Sequence, residues 1–329
     1  MTPARFDLLG IGNAIVDVTA PVDHRFLSHR DLHPGSMSLV DEERAAALRL
    51  GVVPTARTGG GSAANTCAVA AALGLRVAFL GKVAEDADGR AFRDDMAALG
   101  IHFPTPPLAE GAPTAQSLVM VTPDGQRTMA THLGAAVAFG EHDLDEEAIA
   151  DAAVLYLEGY LFDPPASQRA FRRAARLARQ AGRRVALSLS DPFCVDRHRA
   201  AFRDFLSEVD LLFANETEIT ALYETNDWES AVEAARACVS VAALTRSERG
   251  SVVVRGAETW IVPAIGTRVV DTTGAGDAYA GGFLAAYTAG RDLECCGQLG
   301  AEAAARIISD WGARPGAGFE ELRRIAAGV

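Results

Sequence analysis

Short runs of β-branched and other apolar residues alternate along this chain with longer Ala-, Leu- and Arg-rich segments. The short runs have the length of buried strands, whereas the longer segments have the periodicity of helices. Strands that alternate with helices pair in parallel, because the crossover helices lie on both faces of the sheet. The pattern therefore predicts an α/β fold with a mostly parallel, covered sheet.

The predicted strands are Phe6–Gly10, Arg76–Leu80, Val154–Leu157, Val185–Leu189, Leu211–Ala214, Val241–Leu244, Ser251–Val254 and Thr267–Val270. The predicted helices are Asp41–Leu50, Ala63–Leu73, Gly89–Leu99, Pro165–Ala181, Asp227–Cys238, Ala278–Ala289 and Leu299–Trp311. Two stretches, Thr19–Val40 and Ala115–Thr131, instead combine turn residues with short alternating strand candidates such as Gln116–Val121. We expect them to form a small β lid. The predicted division is an α/β core of residues 1–13, 41–114 and 132–329, with residues 14–40 and 115–131 in the lid.

Charge and composition narrow the class of protein. The net charge of −12 argues against nucleic acid as the main partner, because phosphate backbones require a basic surface. No apolar stretch reaches the ~18 residues of a membrane span, and the N-terminal apolar run contains an acidic residue. The five cysteines lack zinc-site spacings. We expect a cytoplasmic enzyme with reduced cysteines that acts on a small molecule, as a monomer or a homodimer.

The Gly-rich turn Asp271–Asp277 (DTTGAGD) precedes a helical pattern. Gly274 and Gly276 allow a tight backbone path that directs successive N–H groups toward one place at a helix start. Such an anion hole suits the charge of a transferring phosphoryl group. Asp277 beside it is then placed to accept the proton of an attacking hydroxyl. The alternative is a plain strand-to-helix turn in which Asp277 caps the helix.

Two polar clusters in the first third of the chain suggest a polyhydroxyl ligand. In Gly59–Asn65 (GGGSAAN), glycines before a helix permit close approach, and Asn65 can donate and accept hydrogen bonds. Asn13 and Asp17 follow the first strand, where a carboxylate can accept from two vicinal hydroxyls. No Lys follows the glycines and no dinucleotide fingerprint is present, which argues against a P-loop and a Rossmann oxidoreductase. The alternatives are a helix cap with a solvated Asn65 and an ordinary polar strand end.

The segment Asn215–Glu218 (NETE) follows a predicted strand. Carboxylates at the C-terminal ends of parallel strands lie on the ligand side of the sheet, where Asn215 and Glu218 could order Mg²⁺ through its waters. Alone, the spacing favours an N-capping box for the next helix.

Taken together and in this order, the glycine pair with Asn65, the Asn215-x-x-Glu218 segment and DTTGAGDAYAGGF closely resemble the ribokinase-like (PfkB) family of kinases. The resemblance covers nearly the whole chain, including Gly81–Phe92 (GKVAEDADGRAF) and Gly312-Ala313. It implies a Rossmann-like three-layer αβα ribokinase-type core with a small β-sheet lid. It also implies ATP and Mg²⁺ as cosubstrates.

The resemblance implies a role for each matching segment. Asp277 would be the catalytic base, and the anion hole would consist of Gly274, Ala275 and Gly276. ATP would bind near Asn215, Glu218 and the loop from Thr245 to Gly250, with Glu218 ordering Mg²⁺ through water. Arg127 would neutralise the transferring group, with a solvated surface Arg as the alternative. Some members bind a monovalent cation such as K⁺, for which Asp271 and Thr273 would be the ligands.

Several segments resemble adenosine kinases more than sugar kinases, namely Gly12–Asp17, Leu32–Asp41 and Leu187–Phe193. In that branch, the residues matching Asp17 and Asn65 hold ribose hydroxyls. The acceptor would accordingly bind against Asn13, Asp17, Gly60, Gly61 and Asn65, and the base would be covered by Ile15, Met37, Leu39 and Leu161. The preferred interpretation is adenosine kinase, which converts adenosine and ATP to AMP and ADP. Because the pocket positions are aliphatic, a ribokinase- or fructokinase-type sugar kinase stays open, as does a non-catalytic nucleoside- or sugar-binding protein.

Overall fold

Two β-sheets and their surrounding helices form the protein, seen here in a computed structural model that describes residues 4–316 and 318–327. The strands are β1 (Phe6–Ile11), β2 (Ile15–Pro21), β3 (Met37–Leu39), β4 (Ala56–Gly60), β5 (Val77–Leu80), β6 (Ala115–Val121), β7 (Arg127–His132), β8 (Ala152–Glu158), β9 (Arg184–Ser188), β10 (Leu211–Asn215), β11 (Val241–Thr245), β12 (Ser251–Arg255) and β13 (Glu258–Val262). The helices are α1 (His24–Ser28), α2 (Glu42–Leu50), α3 (Ser62–Ala72), α4 (Ala87–Ala98), α5 (Glu146–Ala150), α6 (Pro165–Gln180), α7 (Pro192–Phe205), α8 (Glu216–Tyr223), α9 (Trp228–Cys238), α10 (Ala275–Thr288), α11 (Leu293–Ile308) and α12 (Phe319–Ala327). Within the described ranges, no helix is long and apolar enough to cross a bilayer.

The larger sheet has eight strands in the order β13-β12-β11-β10-β9-β8-β1-β5. The six strands from β11 to β5 are parallel, and β12 and β13 are antiparallel to their neighbours. Successive residues of a strand point to opposite faces, so Leu8 and Leu9 of β1 enter separate apolar cores on the two sides of the sheet. The predicted mostly parallel sheet, covered on both faces, is confirmed.

The smaller sheet has five strands in the order β3-β7-β6-β2-β4. In β2 the side chains alternate, with Val16 and Val18 buried in the core and Ile15 and Asp17 half-buried on the opposite face. One face of this sheet is thus anchored by packing, and the other can meet a ligand. Strand β4 pairs with β2 here, although the sequence analysis placed residues 41–114 in the core.

The predicted strand before the Gly-rich turn is absent from the structure. Thr267–Val270 has strand-like composition, but residues 263–270 form no strand and most of them are exposed. The Val270 N–H instead donates to the Ile308 carbonyl at the end of α11, at 2.8 Å. A β-prone run without a neighbouring strand edge cannot form a ladder. Helices α7 and α8, which the sequence analysis did not assign, also occur in the structure.

Helices α3 and α10 pack side by side, and this contact places the site. A Cβ on Gly281 would lie 2.8 Å from the Val69 Cβ and 2.9 Å from the Thr66 carbonyl oxygen. Only glycine permits so close an approach of the two helices. As a result, the N-terminal turns of α3 and α10 lie next to each other.

Candidate active site

The carboxylate of Asp277 lies in the first turn of α10 and receives two hydrogen bonds from α3. The Ser62 hydroxyl donates to Oδ1 at 2.6 Å, and the Asn65 Nδ2 donates to Oδ2 at 3.0 Å. Burial raises the pKa of Asp277 to about 6, and the two donors and the positive charge of Arg314 oppose that rise. The carboxylate therefore stays ionised at neutral pH, as a general base requires.

Asp277 does not cap its own helix. Gly274 occupies the N-cap position in a left-handed conformation with φ of 76°, and no side chain caps this helix. A Cβ on Gly274 would lie 2.5 Å from the Ala313 Cβ, whereas a Cβ on Gly276 would meet no atom within 4 Å. Gly276 thus faces open space at the start of α10, where a bound anion would meet helix N–H groups.

A cleft beside Asp277 extends to the C-terminal ends of β10 and β11. Asn215 and Thr245 end these strands and are directly paired in the sheet. The predicted site residues that line the cleft are Asn215, Glu218, Thr245, Gly276 and Asp277. The structure therefore brings together the expected base, Gly276 of the expected anion hole and three of the four expected ATP-binding residues.

Asn215 and Glu218 form the N-capping box that their spacing favours. The Asn215 side chain accepts from the Glu218 N–H at 2.9 Å, while the Glu218 carboxylate accepts from the Asn215 N–H at 2.9 Å and Nδ2 at 2.7 Å. Burial raises the pKa of Glu218 to about 7. Both residues nevertheless line the cleft, so the helix cap also holds a carboxylate in the same cleft as Gly276 and Asp277.

Gly250 lies apart from these residues. It adopts φ of 81° in the turn before β12, and a Cβ would lie 2.1 Å from the Val262 carbonyl oxygen. It is not among the residues that line the cleft. The turn itself requires glycine, and the expected contact of Gly250 with ATP stays a prediction.

On the acceptor side, Asn13 is positioned by a buried carboxylate. Glu158, at the end of β8, is 1% exposed and accepts from the Asn13 Nδ2 at 2.8 Å and from the Ala63 N–H at 2.7 Å. Burial raises the pKa of Glu158 to about 7, although these donors oppose the rise. Glu158 therefore fixes Asn13 against the start of α3.

Asp17 offers a carboxylate to the same region. It lies on the half-buried face of β2, and a Cβ on Gly60 would lie 2.5 Å from its Oδ2. Burial raises its pKa to about 6, while the charges of Arg314 and Arg127 oppose the rise. Among the described residues, none donates a side-chain hydrogen bond to Asp17. Asn65 likewise has a buried Oδ1 without a protein donor, so the site holds acceptors ready for ligand hydroxyls.

The smaller sheet carries apolar residues on the face it shares with Asp17. Ile15 is half-buried, Met37 is 38% exposed and Leu39 is 50% exposed. Met37 pairs with Met129 of β7, so the apolar stripe continues across the sheet. Leu161 is different, because it is 1% exposed and packs in the core. The prediction that Leu161 covers a bound base is therefore wrong in this structure, because its side chain is buried in the core.

Arg127 connects the smaller sheet to the Gly-rich turn. Its Nη2 lies 2.6 Å from Oδ2 of Asp271, and its Nη1 donates to the Thr273 hydroxyl at 3.1 Å. Asp271 also accepts from the Thr273 N–H and hydroxyl and from the Gly312 N–H, the last at 2.7 Å. Arg127 is thus close to the anion hole, and the solvated alternative does not hold.

This chain matches a known protein family. The model of the pfkB family of carbohydrate kinases matches residues 50–317. The chain belongs to the pfkB family. It is therefore a phosphotransferase, and its family implies ATP as the phosphoryl donor. The predicted family, fold class and enzyme class are confirmed.

Individual relatives of this pfkB kinase carry the names of nucleoside and sugar kinases. Its sequence is 47% identical to that of adenosine kinase from Sinorhizobium meliloti. The crystal structure of that protein matches this one with a TM-score of 0.93, over 98% of this chain and 100% of that chain. The chain is 45% identical to a probable sugar kinase from Rhizobium etli CFN 42, with a TM-score of 0.94 and coverage of 99% and 100%. It is also 30% identical to an ATP-dependent ribose-1-phosphate kinase from Halopiger xanaduensis, over 72% of this chain and 76% of the relative.

Three residues of this kinase site were missed by the sequence analysis: Ser62, Glu158 and Arg314. Ser62 lies inside the Gly59–Asn65 motif, so its position at the start of a helix could have been predicted from the sequence. Glu158 could have been noticed as an acidic residue that ends a buried strand and precedes a glycine. Arg314 follows the Gly312-Ala313 pair, but nothing in the sequence shows that it is nearly buried beside the acceptor region.

Proposed function

We propose that this kinase transfers the γ-phosphoryl group of ATP to the primary hydroxyl of a nucleoside, with adenosine as the preferred acceptor. The observation that carries the proposal is the position of Asp277, which lines the cleft and is held there by hydrogen bonds from Ser62 and Asn65. A base there has the donor region on one side and the acceptor residues on the other. That arrangement suits in-line attack of a hydroxyl on a phosphoryl group.

Asp277 takes the proton of the attacking hydroxyl. Its pKa of about 6 is below neutral pH but above the ordinary value, so the carboxylate is ionised and still basic enough to accept a proton. The N–H groups from Gly274 to Gly276 stabilise the charge on the transferring group. The 5′-hydroxyl of the nucleoside is the nucleophile.

The acceptor site supports a nucleoside. The half-buried Asp17 carboxylate and the unpaired Asn65 Oδ1 suit the vicinal hydroxyls of a ribose. The stripe of Ile15, Met37 and Leu39 offers apolar side chains on the same face as Asp17, which suits the base of a nucleoside. The similarity to a structure named adenosine kinase supports the same choice.

We further propose that the smaller sheet acts as a lid, with residues 14–40 and 115–131 as its main segments. Lid closure excludes water, which would otherwise compete as the phosphoryl acceptor. Arg127 lies in this sheet and reaches the anion-hole turn, so closure brings its charge to the transferring group. To act there, Arg127 exchanges its contact with Asp271 for one with phosphate.

The residues of the cleft fit Mg·ATP. Glu218 and Asn215 would hold Mg²⁺ through its waters, because this ion keeps most of its hydration shell and each Glu218 oxygen, besides its one bond in the helix cap, can still accept from a water. When bound, Mg²⁺ neutralises the phosphate oxygens. The nucleoside end of ATP lies toward the loop from Thr245 to Gly250.

A monovalent cation does not fit Asp271 and Thr273 in this arrangement. Both Asp271 oxygens accept from protein donors, and the nearest charge is the Arg127 guanidinium. A K⁺ ion would have to displace that guanidinium or lie beside a like charge.

A sugar kinase is the second candidate. It is favoured by the aliphatic character of the lid face and by the similarity to a structure named as a probable sugar kinase.

We also propose a cytoplasmic location, because the five cysteines are all free, as is usual in a reducing compartment.

ADP release with Mg·ATP tests the proposal. The acceptors are adenosine, inosine, guanosine, ribose, fructose and 2-keto-3-deoxygluconate, and we expect adenosine to give the highest kcat/KM. Asp277→Asn should lower turnover by ~10²–10⁴, the range for a lost general base. Asp7→Asn is the matched control, since Asp7 pairs with Arg76 at the opposite end of β1 and should leave turnover unchanged.

Three other outcomes would each contradict one part of the proposal. Turnover confined to a free sugar would keep Asp277 as the base and exclude the nucleoside assignment. Wild-type rates in Asp277→Asn would exclude its role as base. Absence of turnover with every acceptor, despite binding of adenosine, would support the non-catalytic alternative.

A further inference from the structure

Arg314 lies beside the acceptor site, and the proposed reaction does not use it. It is located in the loop that follows α11, and its side chain is 15% exposed. Its Nε donates to the Gly59 carbonyl at 2.8 Å, and its Nη1 donates to the Ala64 carbonyl at 3.0 Å. One guanidinium therefore joins strand β4 of the smaller sheet to helix α3 of the core.

Both carbonyls belong to residues that precede acceptor-site residues. Gly59 precedes Gly60, which lies against the Asp17 carboxylate. Ala64 precedes Asn65, which donates to Asp277. The planar, rigid fork of an Arg side chain can hold two carbonyls in a fixed relation, which the single flexible ammonium of Lys cannot do. Arg314 thus joins the backbone next to Gly60 to the backbone next to Asn65.

The backbone leaves room for this side chain. A Cβ on Gly59 would lie 2.6 Å from the Arg314 Nη2 and 2.3 Å from the Asp95 Oδ2. Arg314 Nη2 and Asp95 Oδ2 are 3.5 Å apart and form an ion pair. The absence of a side chain at Gly59 thus leaves room for the guanidinium and its ion pair.

The charge of Arg314 also faces the site carboxylates. Besides Arg314, the ionisable and polar groups around Asp277 are Ser62, Asn65, Asp17, Tyr156, Glu158, Tyr160 and Glu218. Burial raises the pKa of Asp17 and Asp277, and the Arg314 charge opposes the rise for both. Arg314 also pairs with Asp95, and the other cation near Asp17, Arg127, pairs with Asp271. Without Arg314 the cluster would carry an uncompensated excess of buried negative charge.

We propose that Arg314 is a positioning residue for phosphoryl transfer, which orients the acceptor site through the Gly59 and Ala64 carbonyls and compensates the charge of Asp17 and Asp277. The electrostatic part rests on the proposed role of Asp277 as the base. The geometric part requires only that the acceptor binds between Gly60 and Asn65.

Two variants separate the geometric part from the electrostatic part, with adenosine and Mg·ATP as probes. Arg314→Lys keeps the charge but cannot hold both carbonyls, so the KM for adenosine should rise by about tenfold or more. Its KM for ATP and the acidic limb of its pH–rate profile should match those of the wild type. Arg314→Met should show the same rise in KM and, in addition, an acidic limb moved upward by about one pH unit.

Arg93→Met is the matched control, because the Arg93 guanidinium also donates to two carbonyls, those of Thr105 and Phe103, outside the acceptor site. It should leave the KM for adenosine and the pH profile unchanged. An unchanged KM for adenosine in Arg314→Lys would overturn the geometric part, and an unmoved limb in Arg314→Met would overturn the electrostatic part. If Arg314→Met fails to fold, Arg314→Lys still decides the geometric part, and Arg314→Gln takes its place in the pH measurement.

These outcomes are distinct from failure of the proposed function. If the wild-type kinase acts on a sugar and not on adenosine, the nucleoside proposal fails and the same variants are measured with that sugar. If Asp277→Asn retains the wild-type rate, the base assignment fails while the KM measurements still test the acceptor geometry. An active wild type with unaffected Arg314 variants contradicts only the role of Arg314.

Discussion

At the scale of single residues, the two donors to Asp277 have different consequences for catalysis. Asn65 is 5% exposed and is held in place by its helix, whereas Ser62 lies at the first position of α3 and lines the cleft. A carboxylate oxygen has two lone pairs, so Oδ1 can accept from Ser62 and from an incoming hydroxyl together. Ser62 therefore tunes the base without blocking the acceptor.

Ser62→Ala should move the acidic limb of the pH–rate profile upward. The Ser62 hydroxyl stabilises the ionised carboxylate, so its loss raises the pKa of Asp277 further above about 6. A lost hydrogen bond to a charged group corresponds to about half to one pKa unit at a partly exposed site. Turnover should fall at pH 6 and change little at pH 8, as measured by kcat across this range.

Ser188→Ala provides the comparison, since Ser188 lines the same cleft but makes no hydrogen bond to Asp277 in the described structure. Its acidic limb should coincide with that of the wild type. A limb in Ser62→Ala that stays at the wild-type pH would show that Ser62 does not set the protonation of the base.

The sequence predicted some of these residues and not others for a physical reason. Asp277 and Asn65 lie within contiguous motifs whose local backbone geometry already suggests chemistry. Ser62, Glu158 and Arg314 acquire their roles from contacts that span 215, 145 and 255 positions of the chain. Such contacts depend on how whole elements pack, which no local pattern in one sequence contains.

At the scale of secondary-structure elements, helix α10 uses its glycines in two ways. Gly276 in the first turn faces open space, whereas a Cβ on Gly282 in the middle of the helix would lie 2.5 Å from the Leu299 carbonyl oxygen. The first glycine keeps the anion hole accessible, and the second permits α11 to pack closely. The sequence predicted the helix from Ala278, but the structure begins it at Ala275, so the anion hole is part of the helix itself.

Alanine substitutions should separate these two uses. Gly276→Ala should keep the melting temperature, because Ala is the better helix former, but its methyl group would intrude on the phosphate and raise the KM for ATP by about tenfold or more. Gly282→Ala should lower the free energy of unfolding by about 1–3 kcal/mol, the range for overpacking a core. Thermal melts and steady-state kinetics on both variants test this.

We expect the kinetic effect only in Gly276→Ala and the loss of stability only in Gly282→Ala. A Gly276→Ala enzyme with wild-type kinetics would show that phosphate does not approach this turn. A Gly282→Ala protein as stable as the wild type would show that α10 and α11 can separate without loss.

At the scale of the whole molecule, the ion pair between Arg127 of β7 and Asp271 connects the smaller sheet to the Gly-rich turn of the core. The sequence predicted a lid from two irregular segments, and strands from both segments do pair in the smaller sheet. It did not show that β4 completes this sheet, because Ala56–Gly60 has few strand-forming residues and is specified by its register with β2. Nor could it show that Arg127 would contact a turn 146 residues away.

Trp311 offers a direct view of this connection. Its ring is 58% exposed, and the Arg127 guanidinium carbon lies 5.2 Å from the ring centroid. If lid closure transfers Arg127 from Asp271 to phosphate, the cation leaves the indole and the environment of the ring changes. Adding adenosine with a non-hydrolysable ATP analogue should therefore change the tryptophan emission of the wild-type protein.

Two variants identify the source of that change. Trp311→Phe retains the other two of the chain's three tryptophans, Trp228 and Trp260, and should lose most of the response. Arg127→Met should also lose most of it, because no cation remains to leave the ring, while its ligand-free emission should already differ from that of the wild type. A full response in Trp311→Phe would place the signal elsewhere, and a full response in Arg127→Met would contradict the exchange of Arg127 between Asp271 and phosphate. Loss of the response in both variants would make closure of the smaller sheet and neutralisation of the phosphoryl group a single event, since one guanidinium would carry out both.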